Sequence, residues 1–185
     1  MKNFGLFLLF VSMFACKNAE QHKAAITDLN TKWEASTAEI MNFAKIVEGE
    51  NAKVATAMES AQMDATAMAK LKPEQKTALE TAIGNLKLSG GDLGTLMAEI
   101  NTFGGNWTAK AVEVKALNDG LAAGKIEGDV TAKLTELNAL VAEGATKLAS
   151  WKEGFAKSQA GSNAAQTALA AALEAIKGKM APVKK

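Results

Sequence analysis

Few side chains in this sequence could carry chemistry, and those that could stand apart from one another. His22 is the single histidine. A zinc ligand or catalytic base needs other groups that converge on it, and the acid nearest in sequence, Glu20, lies in the same polar stretch. His22 therefore reads as a solvated side chain. Cys16 is the single cysteine, which excludes an intrachain disulfide. With no second histidine and no spare thiol, a hydrolytic triad cannot be assembled. Met58, Met63 and Met68 offer three thioethers, the soft donors that suit cuprous ion. On a helix, five-residue spacing turns each side chain about 140° from the last, so the three share no face and read as packing residues. The expectation is no catalytic residue, no metal, no cofactor and no enzyme.

Trp33, Trp107 and Trp151 are the remaining candidates. Large aromatic rings at helical spacing form either a core layer or the lining of an apolar pocket between helices. If the chain folds back near Lys72, Trp33 and Trp107 come to nearly the same height and Trp151 sits somewhat off that level. Both readings stay open for the three rings.

Charge narrows the partners. All the basic residues are Lys, with no Arg among the 21, against 20 Asp and Glu. A nucleic-acid binder concentrates positive charge on one face and uses Arg forks on phosphate and guanine, so no nucleic-acid partner is expected. The even mixing of charge also argues against a polybasic helix lying on a membrane surface.

The elements that would position these residues are helices. Alanine makes up about a fifth of the chain, there are two prolines and no tyrosine, and β-branched residues are scattered. Three stretches repeat apolar residues every seven positions, the pattern of helices packed along a seam. The first carries Ile26, Trp33, Ile40, Val47, Val54, Ala61 and Met68, with a companion row of Leu29, Phe43, Ala57 and Leu71 that Ser36, Glu50 and Asp64 interrupt. The second carries Leu79, Leu86, Leu93, Ile100, Trp107, Val114 and Leu121 without a break. The third carries Leu134, Val141, Leu148, Phe155, Leu169 and Ile176, broken at Ser162, beside Val130, Leu137, Trp151, Ala165 and Ala172.

Two joints divide these stretches. Lys72-Pro73-Glu74-Gln75 puts Pro at a first helical position, and Gly124-Lys125-Ile126-Glu127-Gly128-Asp129 supplies a glycine stop and an Asp cap. The sequence thus predicts an all-α, elongated up-down-up three-helix bundle with coiled-coil-like packing, each helix about 75 Å long at 1.5 Å per residue. Ser89-Gly90-Gly91-Asp92 and Gly104-Gly105 could break the middle helix, giving four or five shorter helices instead. The unshifted heptad across both favours continuity.

The N-terminus carries an address. Lys2 precedes an apolar run, Phe4-Gly5-Leu6-Phe7-Leu8-Leu9-Phe10-Val11-Ser12-Met13-Phe14, which has signal-peptide length and is short of the roughly 20 residues that span a bilayer. Ala15-Cys16 ends it and the polar Lys17-Asn18 follows. This arrangement resembles the lipobox of bacterial lipoproteins, in which a small residue precedes the Cys that is acylated and becomes the mature N-terminus. Met13 and Phe14 stand where that family usually has Leu and a smaller residue. Taken without the resemblance, the same leader is an ordinary secretory one cut near Ala15 or Ala19. The resemblance implies fatty acylation of Cys16, for instance by palmitate, and Lys17 after the Cys implies sorting to the outer membrane.

The expected organisation is a leader over residues 1–15, a lipidated Cys and polar tether over 16–22, a helical bundle over 23–181 and a basic tail over 182–185. The function that fits is a non-enzymatic envelope lipoprotein, held in a membrane by its acyl chains and acting as a helical spacer or protein-interaction module. Its partner would be another envelope protein, or a second copy pairing along the Ala-rich seam. The alternative is a carrier that opens the seam around a lipid or other apolar ligand.

Overall fold

The computed structural model of the protein describes residues 4–63 and 68–180, with side chains over 19–63 and 68–177. Helix α1 spans Phe4–Ser60, α2 spans Pro73–Ala122 and α3 spans Val130–Met180. No strand occurs among the described residues, and the chain is an all-α three-helix bundle. None of the helices, over the described residues, is long and apolar enough to cross a membrane.

The heptad rows are the buried faces. Ile26, Trp33, Ile40, Val47, Val54 and Ala61 of α1 are buried, as are Leu79, Leu86, Leu93, Ile100, Trp107 and Val114 of α2. Leu134, Leu148, Phe155, Leu169 and Ile176 of α3 are buried too. Helix α2 runs unbroken through Ser89-Gly90-Gly91-Asp92 and Gly104-Gly105, so the division into four or five shorter helices does not occur. Each glycine costs about 1 kcal/mol of helix propensity. That is less than the packing of Leu86, Leu93, Ile100 and Trp107, which stay in phase on both sides of the glycines. Continuity also buries a second row on α2 that the sequence did not reveal, made of Ala82, Ser89, Leu96, Phe103 and Leu117.

Residues 19–22 belong to α1, with Ala19 buried at 3% exposure. Lys23 and Glu20 face each other one turn apart, a spacing that only helical geometry brings together.

The joints carry recognisable caps. At the start of α2 the backbone N–H of Lys72 donates to Gln75 Oε1 (3.2 Å), the returning half of a capping box. The Gln75 amide in turn donates to the Ala175 carbonyl of α3 (3.0 Å). Helix α2 ends in a Schellman motif: Lys125 N–H donates to Gly120 O and Gly124 N–H to Leu121 O. Gly124 takes φ +70°, a left-handed conformation costly for any residue with a Cβ. At Gly120 a Cβ would lie 2.9 Å from the Lys125 carbonyl oxygen, so the closure needs both glycines. Asp129 then accepts from Ala132 N–H (2.9 Å) and caps α3.

All three helices contribute to each of two compact units. One comprises Met1–Met41 with Asn101–Leu148, the other Asn42–Ile100 with Ala149–Lys185. In the second unit Phe43 meets Phe155 and Glu50 meets Ser162, so α1 and α3 run parallel there. The contacts Glu99 to Trp151, Ser89 to Gly161 and Gln75 to Ala175 run in opposite senses, which makes α2 antiparallel to α3.

Candidate functional site

The candidate residues of the first unit are aromatic. Trp33 of α1 and Trp107 of α2 stack with ring centroids 3.9 Å apart and planes inclined by 17°. Both are buried, because each occupies its helix's unbroken apolar row. The indole N–H of Trp107 would be a costly orphan there. It donates to Thr37 Oγ1 (2.8 Å), and that hydroxyl donates to the Trp33 carbonyl one turn back (2.7 Å). Phe103 lies against Trp107 at 5.7 Å. Gly144 of α3 completes the layer, since a Cβ there would come within 3.1 Å of the Trp107 ring and 3.4 Å of Phe103. The rings fill the space between them with each other.

Charge closes this unit on its surface. Lys110 of α2 bridges Glu113 (2.7 Å) on its own helix and Glu136 (2.6 Å) on α3. Hydrogen bonds to the two carboxylates hold the Lys110 ammonium above its ordinary pKa. The Asn118 amide donates to Asn30 Oδ1 across to α1 (2.7 Å).

Trp151 belongs to the second unit, where its indole N–H donates to Glu99 Oε2 (3.1 Å). Of the three candidate tryptophans, therefore, two are brought into contact and the third is held by a carboxylate. Cys16 lies outside the described side chains. His22 is half-buried on α1, and Met58, Met63 and Met68 are each half-buried. Among the described residues no three His, Cys, Asp or Glu side chains group as a metal site would require.

The second unit holds a site that the sequence did not flag. Glu50 on α1 is 3% exposed and Ser162 on α3 is fully buried, each a polar break in its helix's heptad row. Ser162 Oγ donates to Glu50 Oε1 (3.2 Å) and accepts from the Gln166 amide one turn on (2.9 Å). Lys53 donates to the other carboxylate oxygen (3.1 Å) while staying largely in solvent. Ser89 of α2, 7% exposed, faces Gly161, whose Cβ position would lie 3.2 Å from its hydroxyl. Burial alone would raise the Glu50 pKa. Hydrogen bonds from Lys53, Ser162 and Gln159, with the Lys53 charge, outweigh it and leave the carboxyl below its ordinary value. Every fully buried polar side-chain atom among the described residues has a partner.

A Ser beside a Glu invites a nucleophile and base, but the geometry does something else. A carboxyl held below its ordinary pKa is a weak proton acceptor, and a fully buried hydroxyl meets no substrate. The arrangement fixes two helices against each other. The signal that could have found it is the equal spacing of two pairs: Phe43 with Phe155 and Glu50 with Ser162 are each 112 residues apart.

Compared with protein-family models, with curated proteins and with solved structures, the chain matches none.

Proposed function

We propose that this protein is a non-enzymatic envelope lipoprotein whose helices serve as a spacer or docking scaffold for another envelope protein. In this reading acyl chains on Cys16 sit in the outer membrane, and helix α1 begins the projecting part close to the anchor. The observation that carries it is the junction at Ala15-Cys16, where an apolar run of leader length gives way to the polar Lys17-Asn18 and to a remainder that is helical, with α2 and α3 of 50 and 51 residues. Stable anchoring takes more than one acyl chain, which lipoprotein processing supplies. The buried faces are filled by the protein's own side chains, as suits a scaffold that presents its surface.

Metabolic labelling with a fatty acid tests the anchor. The wild-type chain should take up label and Cys16→Ala should not, with the variant moving from the membrane fraction to the soluble one. Equal labelling of both would remove the anchor and the lipoprotein reading with it.

A further inference from the structure

We propose that the Glu50–Ser162 layer is a register key, which fixes where α1 lies along α3 and rejects pairings displaced by one heptad. The need for a key follows from the joints. The seven residues between Ala122 and Val130 form a closure with left-handed glycines and an Asp cap, which admits one alignment of α2 on α3. Helix α1 is connected differently. Twelve residues separate Ser60 from Pro73, more than the seven of the other joint, and a one-heptad slip moves a helix by only about 10 Å. The longer connection constrains the register less than the glycine closure does.

The main apolar row chooses only at Trp33. Displacing α1 by seven residues exchanges one apolar side chain for another along the row from Ile26 to Ala61, and the exchanges among Val47, Val54 and Ala61 keep the seam of the second unit apolar. In the first unit the slip parts the Trp33–Trp107 stack, with overpacking at one position and a cavity at another. The companion row behaves differently. A slip sets Glu50 against Phe155 or Leu169 in place of Ser162, and sets Ser162 against Phe43 or Ala57. The carboxylate then loses its donors on α3, Ser162 and Gln159, and meets hydrocarbon, the exchange that buried charge tolerates least. Among alignments within one heptad of the native one, only the native brings Glu50 and Ser162 together, and it is the alignment that also seats Phe43 on Phe155. A buried polar position that specifies register at some cost in stability is a known device of packed helices.

Spin labels test this in the full chain carrying Cys16→Ala, so that only introduced thiols react. Lys45→Cys and Lys157→Cys place them on exposed positions separated by the same 112 residues, hence level with each other. With the native layer the labels should give one narrow distance. Glu50→Leu with Ser162→Leu should keep the helical circular dichroism and add a second, longer distance, rising from undetectable to about a tenth of the molecules or more. Glu50→Ala with Ala57→Glu moves the carboxylate by one heptad and should shift the main distance to the longer value. A single unchanged distance in either variant overturns the proposal. So does loss of helix in the leucine pair, because the layer would then hold the bundle together and not align it.

Discussion

The two units solve one problem, filling the space between three helices, with opposite materials. In the first, indole lies on indole at 3.9 Å with a glycine making room. In the second, a carboxylate and a serine hydroxyl occupy positions where hydrocarbon would pack well. The aromatic layer contributes contact area, which is large where Gly144 leaves room for the rings. The polar layer contributes little net stability, since desolvating Glu50 consumes much of what its hydrogen bonds return, yet it is satisfied in one arrangement only. Strength and selectivity are thus lodged chiefly in different units.

The contrast can be broken most forcefully at Trp107. Trp107→Ala removes a ring in contact with Trp33 and Phe103 and leaves the Thr37 hydroxyl only its bond to the Trp33 carbonyl. It should cost about 3–5 kcal/mol of unfolding free energy, the usual toll of deleting a buried aromatic. Urea denaturation measures the loss, and hydrogen exchange should rise first in peptides from 19–41 and 101–148. A loss under about 1 kcal/mol would mean the layer is not packed as described.

Ser162→Ala is a smaller blow aimed at the other unit. It deletes a hydrogen bond to a charged group, worth about 1.5–3 kcal/mol, and removes one of the contacts that lower the Glu50 pKa. Denaturation should show this loss, and exchange should rise in peptides from 42–60 and 149–177, leaving the Trp33–Trp107 region unchanged.

Titration sharpens the comparison with the least energy. The Glu50 pKa is lowered on folding, so its contribution is complete above the unfolded value of 4.5 and is lost as pH falls through the folded one. The Lys110 pKa is raised, so its contribution is complete below the unfolded value of 10.5 and is lost as pH rises through the folded one. Urea midpoints should therefore fall less steeply in acid for Glu50→Gln than for wild type, and less steeply in base for Lys110→Met. The base effect should be the weaker, because exposed ion pairs contribute little.

Much of the fold was legible because helix geometry imposes its period on the sequence. Leu79 through Val114 repeat every seven residues and are buried, as are Ile26 through Ala61, a period that helices bury and strands do not. Caps at Pro73, Gly124 and Asp129 were legible for the same local reason, since each depends on neighbours within a turn. What depends on alignment between helices was not. Ser36, Glu50, Asp64 and Ser162 looked like flaws in separate rows, and the pairing of two of them exists only once α1 is set against α3. Ser89 was hidden differently: beside Gly90-Gly91 it looked like turn chemistry, whereas it is a buried core position. Gly144 carried no signal, because its role is the room it leaves for rings from another helix.

The placement of the three indoles makes the molecule its own spectrometer. Two indole planes inclined by 17° with centroids 3.9 Å apart couple their strong far-ultraviolet transitions, so circular dichroism should carry an exciton signal while the stack endures and lose it when the rings part. Trp151, beside the Glu99 carboxylate in the other unit, emits from a separate setting. One unlabelled sample thus carries two optical clocks, one for each half of the chain's packing.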